Sequence, residues 1–76
     1  MTKLPQVSGT RLARALERAG FRKVHRKGSH AMFVHSTDPT RIAVVPLHKG
    51  KVLPPGTLRA ILKGARLAIE ELHRFL

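Results

Sequence analysis

Apolar positions recur at helical spacing near both ends of this chain and at strand-like spacing between them. Leu12, Ala15, Leu16 and Ala19 lie three and four apart, which gathers them on one face of an α-helix. Ser8 stands just ahead and can cap the first free amide groups, and Gly20 supplies the left-handed residue that ends the helix. Arg11, Arg14 and Arg18 stack on the neighbouring face. Like charges so placed repel by roughly 0.2–0.5 kcal/mol each, and both a solvated face and a phosphate-facing ridge fit the pattern.

Phe21 to Lys27 holds apolar Phe21 and Val24 among cations and predicts a short strand. Gly28-Ser29 forms a hairpin turn into a richer strand, His30 to His35. Thr37-Asp38-Pro39-Thr40 is a turn, and Arg41 to Pro46 a third strand that stops at proline, which has no N–H to donate. Leu47 to Pro55 is a loop. Leu58, Ile61, Leu62, Ala65, Ile69, Leu72 and Leu76 then hold one helical stripe, with Arg66, Glu70 and Arg74 as an i, i+4 charge ladder. Gly64 lies inside that stripe and costs about 1 kcal/mol relative to alanine, so a bend or break is expected near it. The order is α-β-β-β-α. It predicts an α+β fold in which a three-stranded antiparallel meander carries both helices on one face and leaves the other open.

Seventy-six residues make a single domain, 1–76, that buries only about 60 % of its unfolded surface. A core that thin leaves no room for a deep pocket, so any active site is expected to be shallow and built from a few side chains. Cysteine is absent, which removes disulfides and thiolate chemistry. The first residues lack the apolar run of a signal peptide, and no stretch approaches the roughly 20 apolar residues of a membrane span. The expectation is a cytoplasmic protein with no membrane partner.

Fifteen Lys and Arg stand against four acids, a net charge of +11, and residues 1–37 hold eight of those cations with Glu17 as the only acid. Such a field attracts polyanions: nucleic acid, an anionic membrane or an acidic protein. Composition alone does not choose among them.

The candidates for chemistry are few. His25, His30, His35, His48 and His73 form no metal signature, the lone Asp38 sits in a turn away from any Ser/His arrangement, and the glycines build no phosphate loop. Neither a metal nor another cofactor is expected. What remains is acid–base work by a histidine, centred on Gly28-Ser29-His30. RNA permits it because the substrate carries its own nucleophile: the 2′-hydroxyl attacks the adjacent phosphorus once a base removes its proton. An imidazole titrates in the right range for that task. Gly28 lets the backbone approach a phosphate without a Cβ in the way, Ser29 has a hydroxyl to donate, and Lys27, Arg26 and Lys49 supply positive charge. The plainer reading of His30 is a polar residue beside a turn.

A wider pattern bears on that choice. The chain resembles the HicA family of bacterial toxins, the small mRNA interferases of HicA–HicB toxin–antitoxin modules. The resemblance lies in Gly20-Phe21, in Gly28-Ser29-His30, in Val45-Pro46-x-His48 and in Pro55-Gly56-Thr57-Leu58-x-x-Ile61-Leu62, in the family's order and spacing over roughly residues 8–65. It implies a fold like the double-stranded-RNA-binding domain and metal-independent endoribonuclease activity on mRNA, in the setting of a type II toxin–antitoxin system. It also implies His30 as the catalytic residue and a HicB antitoxin that masks the site; the free toxin is expected to be monomeric, although no residue pattern speaks to its oligomeric state. His48 matches a recurrent family position and reads first as a supporting or structural residue. The apolar stripe running on to Leu76 departs from the family pattern, leaving one longer helix or two. Two rivals stay open: a non-catalytic RNA-binding module of the same fold, and an inactive toxin that serves only in transcriptional control.

Overall fold

The computed structural model describes residues 2–48 and 50–76. Its elements are α1 (Gly9–Arg18), β1 (Phe21–Lys27), β2 (His30–His35), β3 (Ile42–Pro46), α2 (Pro55–Ala65) and α3 (Ile69–Phe75). Ser8 caps α1 by accepting the Arg11 N–H, and Gly20, at a φ of 98°, carries the chain away from the helix end. The strands form one antiparallel sheet in the order β1-β2-β3, the meander expected from the sequence.

Alternation along the strands separates a packed face from a bare one. On β2 Ala31 and Phe33 are buried while His30 is exposed, and on β3 Ala43 and Val45 are buried while Ile42 and Val44 are exposed. The buried set joins Leu12, Ala15 and Leu16 of α1, Leu58, Ile61 and Leu62 of α2 and Leu72 of α3 in one core. Phe33 is among its largest fully buried side chains, worth about 1.5–3 kcal/mol in water-excluded surface.

The C-terminal stripe is two helices. The break falls at Arg66, which takes a left-handed conformation (φ 51°, ψ 44°) as the cap of α2. Its side chain therefore leaves the expected ladder with Glu70 and Arg74 and instead pairs with Asp38 across the β2–β3 turn, at 2.7 Å. Arg41 reinforces the same junction by donating from Nε to the Ala65 carbonyl at 2.8 Å, one of the acceptors a helix end leaves free. α3 restarts with the Glu71 carboxylate accepting the Ala68 N–H at 3.0 Å. It is tied back to the N-terminal segment through the His73 ring and the Lys3 carbonyl at 2.8 Å.

Gly64 has a reason the helical pattern could not show. A Cβ at that position would lie 2.7 Å from the Ile42 carbonyl oxygen, so glycine is what lets α2 lie this close to β3. Replacing Gly64 with alanine should therefore destabilise the protein by about 1–3 kcal/mol, although alanine is the better helix former. Gly56, where a Cβ meets nothing within 4 Å, is the control and should tolerate alanine. Urea unfolding of the two variants decides it, and a Gly64→Ala protein as stable as the wild type would refute the close-approach argument.

Asp38 gives a second test. The Thr40 hydroxyl, at 2.6 Å, and then the Thr40 amide lower its carboxyl pKa below the ordinary value; desolvation partly opposes them, and Arg66 and Arg41 add smaller pulls. A carboxyl whose folded-state pKa is depressed stabilises the fold above its unfolded pKa and loses that contribution as pH falls through the folded value. The stability gap between wild type and Asp38→Asn should be present at neutral pH and shrink on acidification through and below the usual carboxylate range. A gap that persists in acid would contradict the assignment.

Candidate functional site

His30 opens β2 because the two-residue turn before it reverses the chain. Gly28 holds a φ of +58°, a conformation that costs an L-residue with a Cβ roughly 1–2 kcal/mol. A Cβ placed there meets no atom within 4 Å, so the turn borders open space. Across the sheet His30 is the register partner of Lys27 on β1 and of Pro46 on β3, and partners directly opposite each other share a face. Lys27 and His30 thus stand together on the bare side.

A bulge in β1 decides which cations join them. The pairing shifts between Lys23 and His25, leaving Val24 as an extra residue that is 51 % exposed. Such an insertion re-aims every side chain after it. Lys27 is thereby turned to the His30 face. Arg26, paired with buried Ala31, goes to the helix side, where it lines a groove with Lys23, Arg14 and Glu17 and donates from Nε to the Gly28 carbonyl at 3.3 Å. The two basic neighbours expected to act together are on opposite faces. The spacing of three between Phe21 and Val24, where a regular strand would use two, was the only trace of the bulge in the sequence. Lys49, the third expected cation, lies outside the described residues.

The end of β3 brings a second imidazole to the site. Pro46 closes the ladder, and the Leu47 N–H then donates to the Ser29 carbonyl, pinning the departing chain to the turn. The next residue, His48, sets its ring edge-to-face with that of His30, centroids 6.4 Å apart and planes at 82°. Both residues are exposed. The remaining histidines divide differently. His35 packs its ring at 5.1 Å against Phe21 and hydrogen-bonds Thr37 through Nδ1, and His73 holds Lys3, so both serve the fold. His25 is exposed on the same face as His30, opposite Met32.

Beside the ring pair runs a shallow groove of about 480 Å³ between the bare face of the sheet and α2. His30, Ile42, Val44 and Pro46 border it from the strands, and Thr57, Ala60 and Ile61 from the helix. Its walls are mostly apolar, and His30 is the one ionisable side chain that borders it. Among the described residues the only ion pair is Arg66–Asp38, so most of the +11 charge is uncompensated by neighbouring acids. No three His, Asp, Glu or Cys among them gather as metal ligands, and no helix is long and apolar enough to cross a membrane.

The sequence profile of a family described as the HicA toxin of bacterial toxin–antitoxin matches residues 9–67. The chain belongs to the HicA toxin family. The matched span runs from the first residue of α1 past the end of α2 and takes in the Gly28-Ser29-His30 turn, Pro46 and His48. α3 lies beyond it, where the apolar stripe departed from the family pattern. As a HicA toxin the chain is one half of a toxin–antitoxin pair and has an antitoxin as its partner. No curated protein matches the chain.

Proposed function

We propose that this HicA toxin is a metal-independent endoribonuclease of a type II system, cleaving mRNA with His30 as the proton-transferring catalytic residue. The observation that carries the reading is the exposed His30 imidazole, set on a bare, cationic sheet face beside an open glycine turn. The positive field draws the phosphate backbone to the protein, a sequence-independent attraction that salt weakens. Lys27, on the His30 face, offsets the charge that builds on phosphorus during 2′-hydroxyl attack. Gly28 leaves room for the backbone of the RNA to approach, and the Ser29 hydroxyl is a further donor at the same turn. Arg26 contributes to the overall field from the helix side. The products carry a 2′,3′-cyclic phosphate and a 5′-hydroxyl.

The partner that silences the toxin is a HicB-type antitoxin. Ile42 and Val44 are 40 % and 46 % exposed and border the groove next to His30, so a protein that covers these apolar side chains also covers the imidazole. The free toxin acts as a monomer of one domain in the cytoplasm, with RNA and the antitoxin as its two ligands.

The test is cleavage of a defined mRNA fragment in EDTA. Wild type should cut, and His30→Ala should lose about 10²- to 10⁴-fold in rate while keeping RNA affinity. Undiminished cutting by the variant would remove His30 from the chemistry, and loss of wild-type cutting in EDTA would require a metal. Salt-sensitive RNA binding with no cutting by wild type would leave only a binding module.

A further inference from the structure

We infer that His48 is a second catalytic residue, and that the His30 and His48 rings divide the two proton transfers of RNA cleavage between them. This rests on the endoribonuclease reading above. The chemistry asks for two groups. In-line attack forms the bond from the 2′-oxygen to phosphorus and breaks the bond from phosphorus to the 5′-oxygen, whose electron pair leaves with that oxygen. One imidazole takes the 2′-hydroxyl proton, and an imidazolium gives a proton to the departing 5′-oxygen; exchange with water then restores both rings. The entering and leaving oxygens lie on opposite sides of phosphorus, so a single ring does not reach both at once.

The geometry supplies the pair. The rings stand 6.4 Å apart, edge to face, and both are exposed. A phosphodiester lying across them brings an oxygen to each within hydrogen-bond reach, about 2.6–3.2 Å. His48 is held there by the fold: its neighbour Leu47 is bonded to Ser29, and Ser29 adjoins His30. The loop is organised by the His48 carbonyl, which accepts the Lys51 N–H at 3.2 Å. Its ring has no hydrogen-bond partner among the described residues, and the same holds for the His30 ring. A histidine kept to steady the loop would spend its ring on backbone groups, as His73 does with Lys3. Lys27 is the charged register partner of His30 on β1, and α2 faces the groove with Thr57, Ala60 and Ile61. No carboxylate among the described residues lines that groove to act as acid or base in their place.

The deciding experiment compares wild type, His30→Ala and His48→Ala in single-turnover cleavage across the neutral pH range. Each is tested on ordinary RNA and on the same RNA with sulfur replacing the bridging 5′-oxygen at the cleavage site. A thiolate leaves without protonation, so it relieves the variant that lacks the acid and does nothing for the one that lacks the base. On ordinary RNA both variants should slow by about 10²- to 10⁴-fold, and each should lose one limb of a bell-shaped wild-type profile. The sulfur substrate should restore one variant and leave the other slow. Wild-type rates from His48→Ala with the bell intact would overturn the pair and leave His30 standing, as would sulfur restoring neither variant or both equally. Undiminished cleavage by His30→Ala would remove His30 from the chemistry and overturn the pair, whereas no cleavage by wild type would instead overturn the endoribonuclease reading on which the pair rests. Unchanged thermal unfolding of both variants, expected for exposed side chains, separates lost chemistry from lost structure.

Discussion

The pairing register of β2 is the constraint on which the site depends. As the middle strand it is bonded on both sides, so its alternation is transmitted to β1 and β3. Ala31 and Phe33 fill the core, and His30 and Met32 are placed on the other face by the same pleat. A slip of one residue would turn His30 inward and Phe33 outward, placing an imidazole among aliphatic side chains and one of the core's two buried phenyl groups in water. The fold and the exposure of the candidate catalytic ring are thus secured by one set of hydrogen bonds and one buried phenyl group.

Around that strand, small features do the positioning. The Val24 bulge places Lys27 with His30 and sends Arg26 to the helix side. The Leu47–Ser29 hydrogen bond returns the chain to the turn, which sets His48 beside His30. Gly64 admits α2 to the Ile42 carbonyl, and with it the wall of the groove. None of these involves a deep pocket. The thin core of so short a chain leaves the site on a surface, and a long polyanion can use a surface that a small metabolite could not.

Much of this was legible in the residues. The strands Phe21–Lys27 and His30–His35 coincide with the segments read from the sequence, because the apolar run Ala31 to Val34 is short and glycine marks the turn before it. The Ser8 cap and the Gly20 stop of α1 were equally plain, since both act through neighbours in sequence. What escaped were long-range events. A break was expected near Gly64 and falls two residues on, but nothing in the apolar stripe from Leu58 to Leu76 betrays that Arg66 turns left-handed and pairs with Asp38 far away in the chain. The bulge left only an irregular spacing. The nearness of His48 to His30 depends on how β3 pairs with β2, which no local pattern states, and so His48 read as a structural residue. Gly64 looked like a weakness in a helix because the carbonyl that requires it belongs to another element.

Lodging of RNA on the bare sheet face, across the two imidazoles, is the claim most open to direct observation. A 2′-O-methylated RNA has no hydroxyl to attack with and can be titrated into protein carrying isotope-labelled histidine and arginine side chains, followed by NMR. The account expects the ring signals of His30 and His48 to move together over the same range of RNA concentration, while those of His35 and His73, engaged in the fold, stay still. Movement confined to Arg14 and Arg26 on the helix side, with the His30 and His48 rings unchanged at saturation, would contradict it.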